Sequence, residues 1–398
     1  MFSIFTQINA ILTANQCYWR FEPFHCTAES TLKQLRQAPE LKQWLMSLND
    51  HEVELYKQNT APLITKIGQY IPDVLKLDLL CQLPRHHLTS LSMPRGIETG
   101  IPGRKLNQIV AMSQASLDDH QGSEWLEWCS GKGYLGRMLT ASTSEPVTSF
   151  EWQHSLCESG QKEADKQVLP MTFVQGDALA GDAWQIMNNR QHGVALHACG
   201  DLHVNLIRHG CQVGLPALTI APCCYHLIQD EYYQALSDLA RQSQLKLTQS
   251  ELRIPLHATV TGGERVKRHR YLEMSYRLGL DNFLRDEKKH TKYTPLPSIK
   301  KSELSLGFEH FCLWASKKKN LDVSGMDFNR WLISGQERFV EMERMSLIQQ
   351  VFQRPLEMWL VLDRALYIEQ RGYQVKLSEF CDRRDTPRNI LIQANKKA

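Results

Sequence analysis

Between residues 104 and 244 the chain alternates short apolar runs with stretches whose apolar residues recur every three or four positions. The run 104–119, RKLNQIVAMSQASLDD, predicts a helix leading into a buried strand that ends at Trp125-Leu126. After a glycine-rich turn, Tyr134, Leu135, Met138 and Leu139 return at helical spacing. Further strand-like runs cover Val147 to Phe150, Met171 to Val174, Val194 to Leu196 and Ala217 to Ile220, and Leu202, Leu206 and Ile207 mark a helix before the last of them. Five short strands separated by helical stretches predict an α/β fold, a Rossmann-like, doubly wound parallel sheet. Near the C-terminus, Tyr373 to Val375 and Asn389 to Ile392 flank the charged turn CDRRDTPRN. A hairpin there predicts a seven-stranded sheet whose last strand is antiparallel.

The flanking regions follow other patterns. Residues 1–103 predict a helical N-terminal domain. From Ala28 to Gln58, Leu32, Leu35, Leu41, Trp44, Leu45 and Leu48 fall near helical spacing, interrupted by Pro39. The stretch YWRFEPFH, residues 18–25, predicts an aromatic plug, with base stacking as the alternative. Prolines 84, 94 and 102 with glycines 96, 100 and 103 mark an irregular connector. Residues 104–244 form the predicted core domain. Residues 245–370 read as an insert of loops and short helices, with helical pattern resuming from Asp327 to Arg371, and residues 371–398 hold the hairpin. Arg104 and Lys105 open their helix at the end least suited to cations; they either serve a contact or are solvated, and solvation is the default reading.

Charge changes this picture in one place. Residues 251–320 hold 15 Lys and Arg against 8 Asp and Glu, a local +7, while the remainder holds 31 against 35, or −4. A basic segment at 262–301 on an otherwise mildly acidic chain predicts either a surface for RNA or a solvated lysine-rich loop. No apolar run is long enough for a membrane span. The N-terminal MFSIFTQINAILTANQ lacks a basic leader and reads as a packing helix. Eleven cysteines without a C-x-x-C pair, and without an export signal, predict reduced thiols in the cytoplasm.

The turn is EWCSGKGYLGR, residues 127–137. Gly131 and Gly133 let a ligand approach the backbone, and the helix after them points free N–H groups at it. Gly136 completes the spacing of a dinucleotide fingerprint. Glu127, however, would repel a pyrophosphate and can anchor an amino-acid ammonium, directly or through water. That favours S-adenosylmethionine (SAM) over a nicotinamide dinucleotide. Glu151, 20 residues after Gly131, ends the second strand where a carboxylate can accept both ribose hydroxyls. Asp177 ends the third strand, placed for an adenine amine. The expected cofactor set is Glu127, Cys129, Ser130, Gly131, Gly133 and Tyr134, then Glu151 with Trp152, Asp177 with Ala178, and His197.

RKLNQI at 104–109, the EWCSGKGYLGR turn, LHACGD at 196–201, APCCYH at 221–226 and TPRN at 386–389 together resemble class I SAM-dependent methyltransferases, and within them the methyltransferase-like 25 group. The eukaryotic tRNA ribose methyltransferases of the acceptor stem are similar in their Cys-Gly and Cys-Cys-His strings, but their zinc-finger cysteines have no counterpart. The resemblance implies a methyltransferase, with RNA as the expected acceptor and a protein or small molecule as the alternative. A fold that binds SAM without turnover is the competing class. Two departures stand out. Cys129 occupies the usual first glycine, and the fourth strand lacks the Asn/Asp-Pro-Pro string of amino-methylating enzymes. Alignment does most of the work in methyl transfer, but a hydroxyl acceptor also needs a base. His197, Asp201 and His226 are the candidates, with Asp201 alternatively a helix cap. Cys223 follows Pro222 as in cytosine-5 methyltransferases, which makes it a candidate nucleophile. A zinc site from Cys199, Cys223, Cys224 and His226 is not expected, because adjacent cysteines do not readily share one tetrahedral ion.

Overall fold

Seven strands form one sheet: β1 (Glu124–Trp128), β2 (Val147–Glu151), β3 (Met171–Gln175), β4 (Gln191–Cys199), β5 (Ala217–Cys223), β6 (Tyr373–Glu379) and β7 (Ile390–Lys396). Their order is β3-β2-β1-β4-β5-β7-β6, with β1 to β5 parallel and β7 antiparallel to both neighbours. This is the Rossmann-like seven-stranded architecture that the apolar pattern predicts. The computed structural model describes residues 1–27, 35–86, 96–101, 103–257 and 263–397, leaving aside the side chain of residue 104. Leu32, half of the connector at 84–103 (including Pro94 and Pro102) and Gly262 therefore lie outside the described residues.

Strand order reverses between β1 and β4, so their C-terminal ends open the crevice where such sheets bind ligands. Each strand runs longer than its apolar run. β1 does not stop at Leu126: Glu127 and Trp128 pair with Ser149 and Phe150. A carboxyl group inside a ladder is tolerated there because Ser149 and two backbone N–H groups satisfy it. β4 starts early, at Gln191-His192, for the same reason. His192 Nε2 meets Thr219 Oγ1 at 2.9 Å, and its Nδ1 meets His120 Nδ1 at 3.0 Å.

By contact the chain forms two compact units, neither of them one continuous stretch: residues 1–13, 79–260 and 353–398, and residues 14–78 with 261–352. In the first, helix Gly103–Asp118 and helix Tyr134–Thr143 cover the sheet around Trp125, Met138 and Leu139. Asp363 accepts from Tyr233 Oη, Leu236 N, Ser237 N and Ser237 Oγ. Next to it, Arg364 Nε donates to His203 Nε2, whose other nitrogen faces Ala198 O.

In the second unit the basic cluster is not a loop. Helix Glu264–Asp286 runs 23 residues, because Leu272, Tyr276, Leu280, Phe283 and Leu284 recur on one face and pack into an apolar cluster with Phe308, Phe311 and Trp331. The reading of loops and short helices took a run of charges as irregular, although Lys, Arg and Glu are good helix formers. A 42-residue helix, Phe328–Glu369, carries the resumed helical pattern. The aromatic stretch packs as a plug within this unit. Trp19 is fully buried, Gln349 Nε2 donates to Trp19 O and Phe21 O, and Phe24 stands 4.8 Å from Tyr293.

The buried histidines set a pH dependence. Burial and the Arg364 charge hold His203 down at about 3, and burial with His120 holds His192 well below its ordinary value. Both stay neutral when folded, so their contribution is complete above about pH 6.5 and is lost as pH falls below it. His197, His209 and His226 are also lowered and act in the same direction. Glu127, raised by burial to about 7, acts oppositely between that pH and the unfolded carboxylate value. Two buried histidines against one carboxylate leave about 1 kcal/mol lost per pH unit between pH 6 and 5. Urea midpoints at pH 7, 6 and 5 should fall accordingly; a flat profile would mean these histidines are not held neutral.

Candidate functional site

The turn after β1 is shaped by three left-handed residues, Cys129 (φ +57°), Gly131 (φ +60°) and Gly133 (φ +70°). Only Cys129 incurs a strain there, of about 1–2 kcal/mol. A Cβ on Gly131 would meet nothing within 4 Å, whereas one on Gly133 would strike the Phe173 ring at 2.4 Å. Gly131 thus faces open space, and Gly133 serves close packing. Ser130 Oγ is buried without a partner among the described residues.

Glu127 does not face that space. Its carboxylate is fully buried, accepts from Leu135 N at 3.2 Å and Ser149 Oγ at 3.0 Å, and clasps the N-terminus of helix Tyr134–Thr143. Of the two expected contacts with a cofactor ammonium, direct or through water, the direct one has no room here. A Cβ on Gly136 would already lie 2.6 Å from Glu127 Oε2. Glu151, at the end of β2, joins the strands: Oε2 accepts from Gly131 N at 2.9 Å and Oε1 from Gln153 N at 3.0 Å. A carboxylate offers about four lone-pair positions, so two remain for hydroxyl donors. Trp152 beside it is 65% exposed. Asp177 Oδ1 accepts from Leu179 N at 2.8 Å, and Ala178 is buried, its carbonyl taken by Asn205 Nδ2.

Burial pushes the Cys129 thiol up to about 12, and the nearby carboxylates Glu151 and Asp177 add to the rise.

At the ends of β4 and β5 the pairing slips. Leu196 pairs with Ala221, but Cys199 pairs with Cys223, so β4 carries one residue more. The extra residue forms a bulge with exposed His197 in the left-handed region, φ +70°. Although its side chain reaches solvent, the ring is partly desolvated by the atoms around it, and this with the charges of Lys105 and Arg388 pushes His197 below its ordinary value, so it is neutral and able to take a proton. Asp201 neither caps its helix nor orients a histidine. Its Oδ2 accepts from Gln229 N at 2.9 Å and ties the β5 loop to the β4 loop. His226 is half-buried, its Nδ1 without a partner among the described residues. Cys223 is buried, with Cys199 Sγ at 3.5 Å, and hydrogen bonding with Cys199 and Cys224 together with burial drives its thiol far up. A nucleophile needs the opposite, so the Pro-Cys reading fails at Cys223.

Three residues outside the predicted site set belong here. Lys105 is half-buried, not solvated; its Nζ lies 5.0 Å from the Tyr134 ring, and its charge reaches His197. Arg388 acts on the same histidine from the TPRN stretch. Asn107 and Gln108 explain how these stretches meet, since they donate to Asp385 Oδ1 and Asp385 O. Arg137 is buried, its guanidinium 4.6 Å from the Tyr134 ring, with Nε and Nη1 unpartnered among the described residues. Its signal was its place inside the glycine turn's own string. Replacing Lys105 by Ala should raise the His197 titration midpoint, read by NMR of the imidazole; an unmoved midpoint would separate the two residues.

Residues 104–231 match the family described as Methyltransferase domain. No curated protein matches the chain. Solved structures similar to it include a protein described as a sarcosine dimethylglycine methyltransferase from Galdieria sulphuraria (11% identity, 29% of this chain and 45% of that one, TM-score 0.25). An SAH-bound methyltransferase from Podospora anserina is 10% identical over 82% of this chain and 96% of that one, TM-score 0.34. A geranyl diphosphate methyltransferase in complex with GPP and sinefungin is 14% identical over 43% and 64%, TM-score 0.24. The chain spans less than half of the first of these and just under two thirds of the third. Such low scores leave the weight on the topology and the matched segment. Residues 104–231 are thus similar to a methyltransferase domain, and they contribute the five parallel strands of a Rossmann-like sheet.

Proposed function

We propose that this chain transfers the methyl group of SAM to RNA. What supports this seat for the cofactor is the open space over Gly131, whose N–H donates to Glu151, with Asp177 following the next strand. Glu151 keeps lone pairs for ribose hydroxyls, Asp177 for an adenine amine, and exposed Trp152 offers a ring face for the purine. The sulfonium brings the methyl group; the residues of this chain hold it and its acceptor in line. Neutral His197 on the bulge is the base that removes the acceptor proton, with Lys105 and Arg388 as cations that favour a phosphate-bearing acceptor.

RNA as the acceptor is further supported by helix Glu264–Asp286. Lys267 and Arg270 there are engaged by Glu54 and Glu343. Arg265 and Arg268 have no ion-pair partner among the described residues and line a cavity of about 640 Å³ with His269, Tyr276 and Ser305. Label from methyl-labelled SAM should enter total RNA prepared from a strain lacking the protein. Label found only in protein would reject the reading and favour a protein acceptor. Reversing both charges, R265E with R268E, should weaken RNA binding and flatten its dependence on salt; unchanged binding would remove this helix from the interface.

A further inference from the structure

The end of the sheet holds a feature that methyl transfer does not use. Cys199, Cys223 and Cys224 place their three Sγ atoms within 4.8 Å of one another, and no other such group of metal-ligating side chains occurs among the described residues. His226 stands outside it.

The backbone is bent twice to make this cluster. Without the bulge at His197, Cys223 would pair with Ala198; the extra residue brings Cys199 opposite it instead. Cys224 then takes a left-handed φ of +47°, rare for a residue with a side chain, and its sulfur turns back to the other two. That reversal answers the objection that neighbouring cysteines cannot share an ion. Both loops are also fixed to each other. Gly200 N donates to Cys223 O, Asp201 N to Leu227 O, Leu227 N to Cys224 O and Gln229 N to Asp201 Oδ2. Strained backbone held this firmly is found where a site must be preformed.

From this geometry we propose that Cys199, Cys223 and Cys224 bind a thiophilic metal ion, Zn²⁺, through three thiolates. With Zn–S bonds of about 2.3 Å, a trigonal or tetrahedral ion holds its sulfurs about 3.8–4.0 Å apart. The cluster brackets that spacing, with one pair at 3.5 Å and all pairs under 4.8 Å. Loading releases the thiol protons to solvent and changes no oxidation state. Cys223 is buried while Cys199 and Cys224 are half-buried, so the three-ligand set leaves a fourth position for water or a substrate atom. The proposal does not depend on RNA being the acceptor.

The test uses the full chain, purified under a phosphine reductant, loaded with Zn²⁺ and dialysed against a weak chelator. Elemental analysis should find one zinc per chain. C199S and C224S should fall to background, while C17S, at an exposed cysteine, keeps its zinc. Co²⁺ in place of zinc should give thiolate charge-transfer absorption in the near ultraviolet. Should the serine variants misfold, X-ray absorption at the zinc edge of the wild-type chain decides, with three sulfur neighbours expected. Zinc at background in the wild-type chain, zinc retained by C199S and C224S, or a shell of nitrogen and oxygen would overturn the proposal. So would loss of two thiols to a Cys199–Cys223 disulfide with no zinc uptake after reduction.

Discussion

Replacing Gly131 by Arg should abolish SAM binding while leaving the fold in place. Gly131 sits at φ +60°, where a side chain costs about 1–2 kcal/mol, a loss a domain of this size tolerates. Its Cβ would project into space with no atom within 4 Å. An arginine there would occupy the volume that the cofactor needs, and it would set its charge against a sulfonium. Affinity should fall at least about a hundredfold, or 2.7 kcal/mol. Equilibrium dialysis with labelled SAM measures this, and circular dichroism checks that the helices persist. G131A should lose far less. Equal and unchanged affinity in both variants would move the cofactor away from this turn.

Gly200→Ala should cost more stability than any other single methyl group in the core domain. Gly200 adopts φ +57° and ψ −126°, a conformation open to glycine alone. A Cβ there would stand 1.9 Å from Leu227 O and 2.6 Å from Leu227 C, both backbone atoms that cannot swing aside. Relief requires the loops after β4 and β5 to part, breaking the bonds from Gly200 N to Cys223 O and from Asp201 N to Leu227 O. A loss of about 3–5 kcal/mol is expected in urea unfolding. A change below about 0.5 kcal/mol would mean that the two loops are not locked together.

The sheet was legible because its inner strands are buried on both faces and read as apolar runs, and because glycines and polar residues mark strand ends. Strand lengths were not. Glu127, Gln191 and His192 are polar residues inside ladders, and only their partners, distant in sequence, explain their burial. The site shows the same division. Gly131, Glu151 and Asp177 could be placed from their position after successive strands. The inward turn of Glu127 could not, because its acceptors are satisfied by Ser149 and a helix end that sequence does not orient. Lys105 and Arg388 lie 283 positions apart, yet both charges reach His197. The three-thiol cluster depends on a one-residue bulge and one left-handed residue, neither of which leaves a mark in composition or spacing.

Isothermal titration of the wild-type chain with S-adenosylhomocysteine, the demethylated product, tests the account at its centre. One saturable site per chain is predicted, with heat lost when Glu151 and Asp177 are replaced together by Ala. Absence of heat in the wild-type chain, or binding indifferent to both carboxylates, would contradict it.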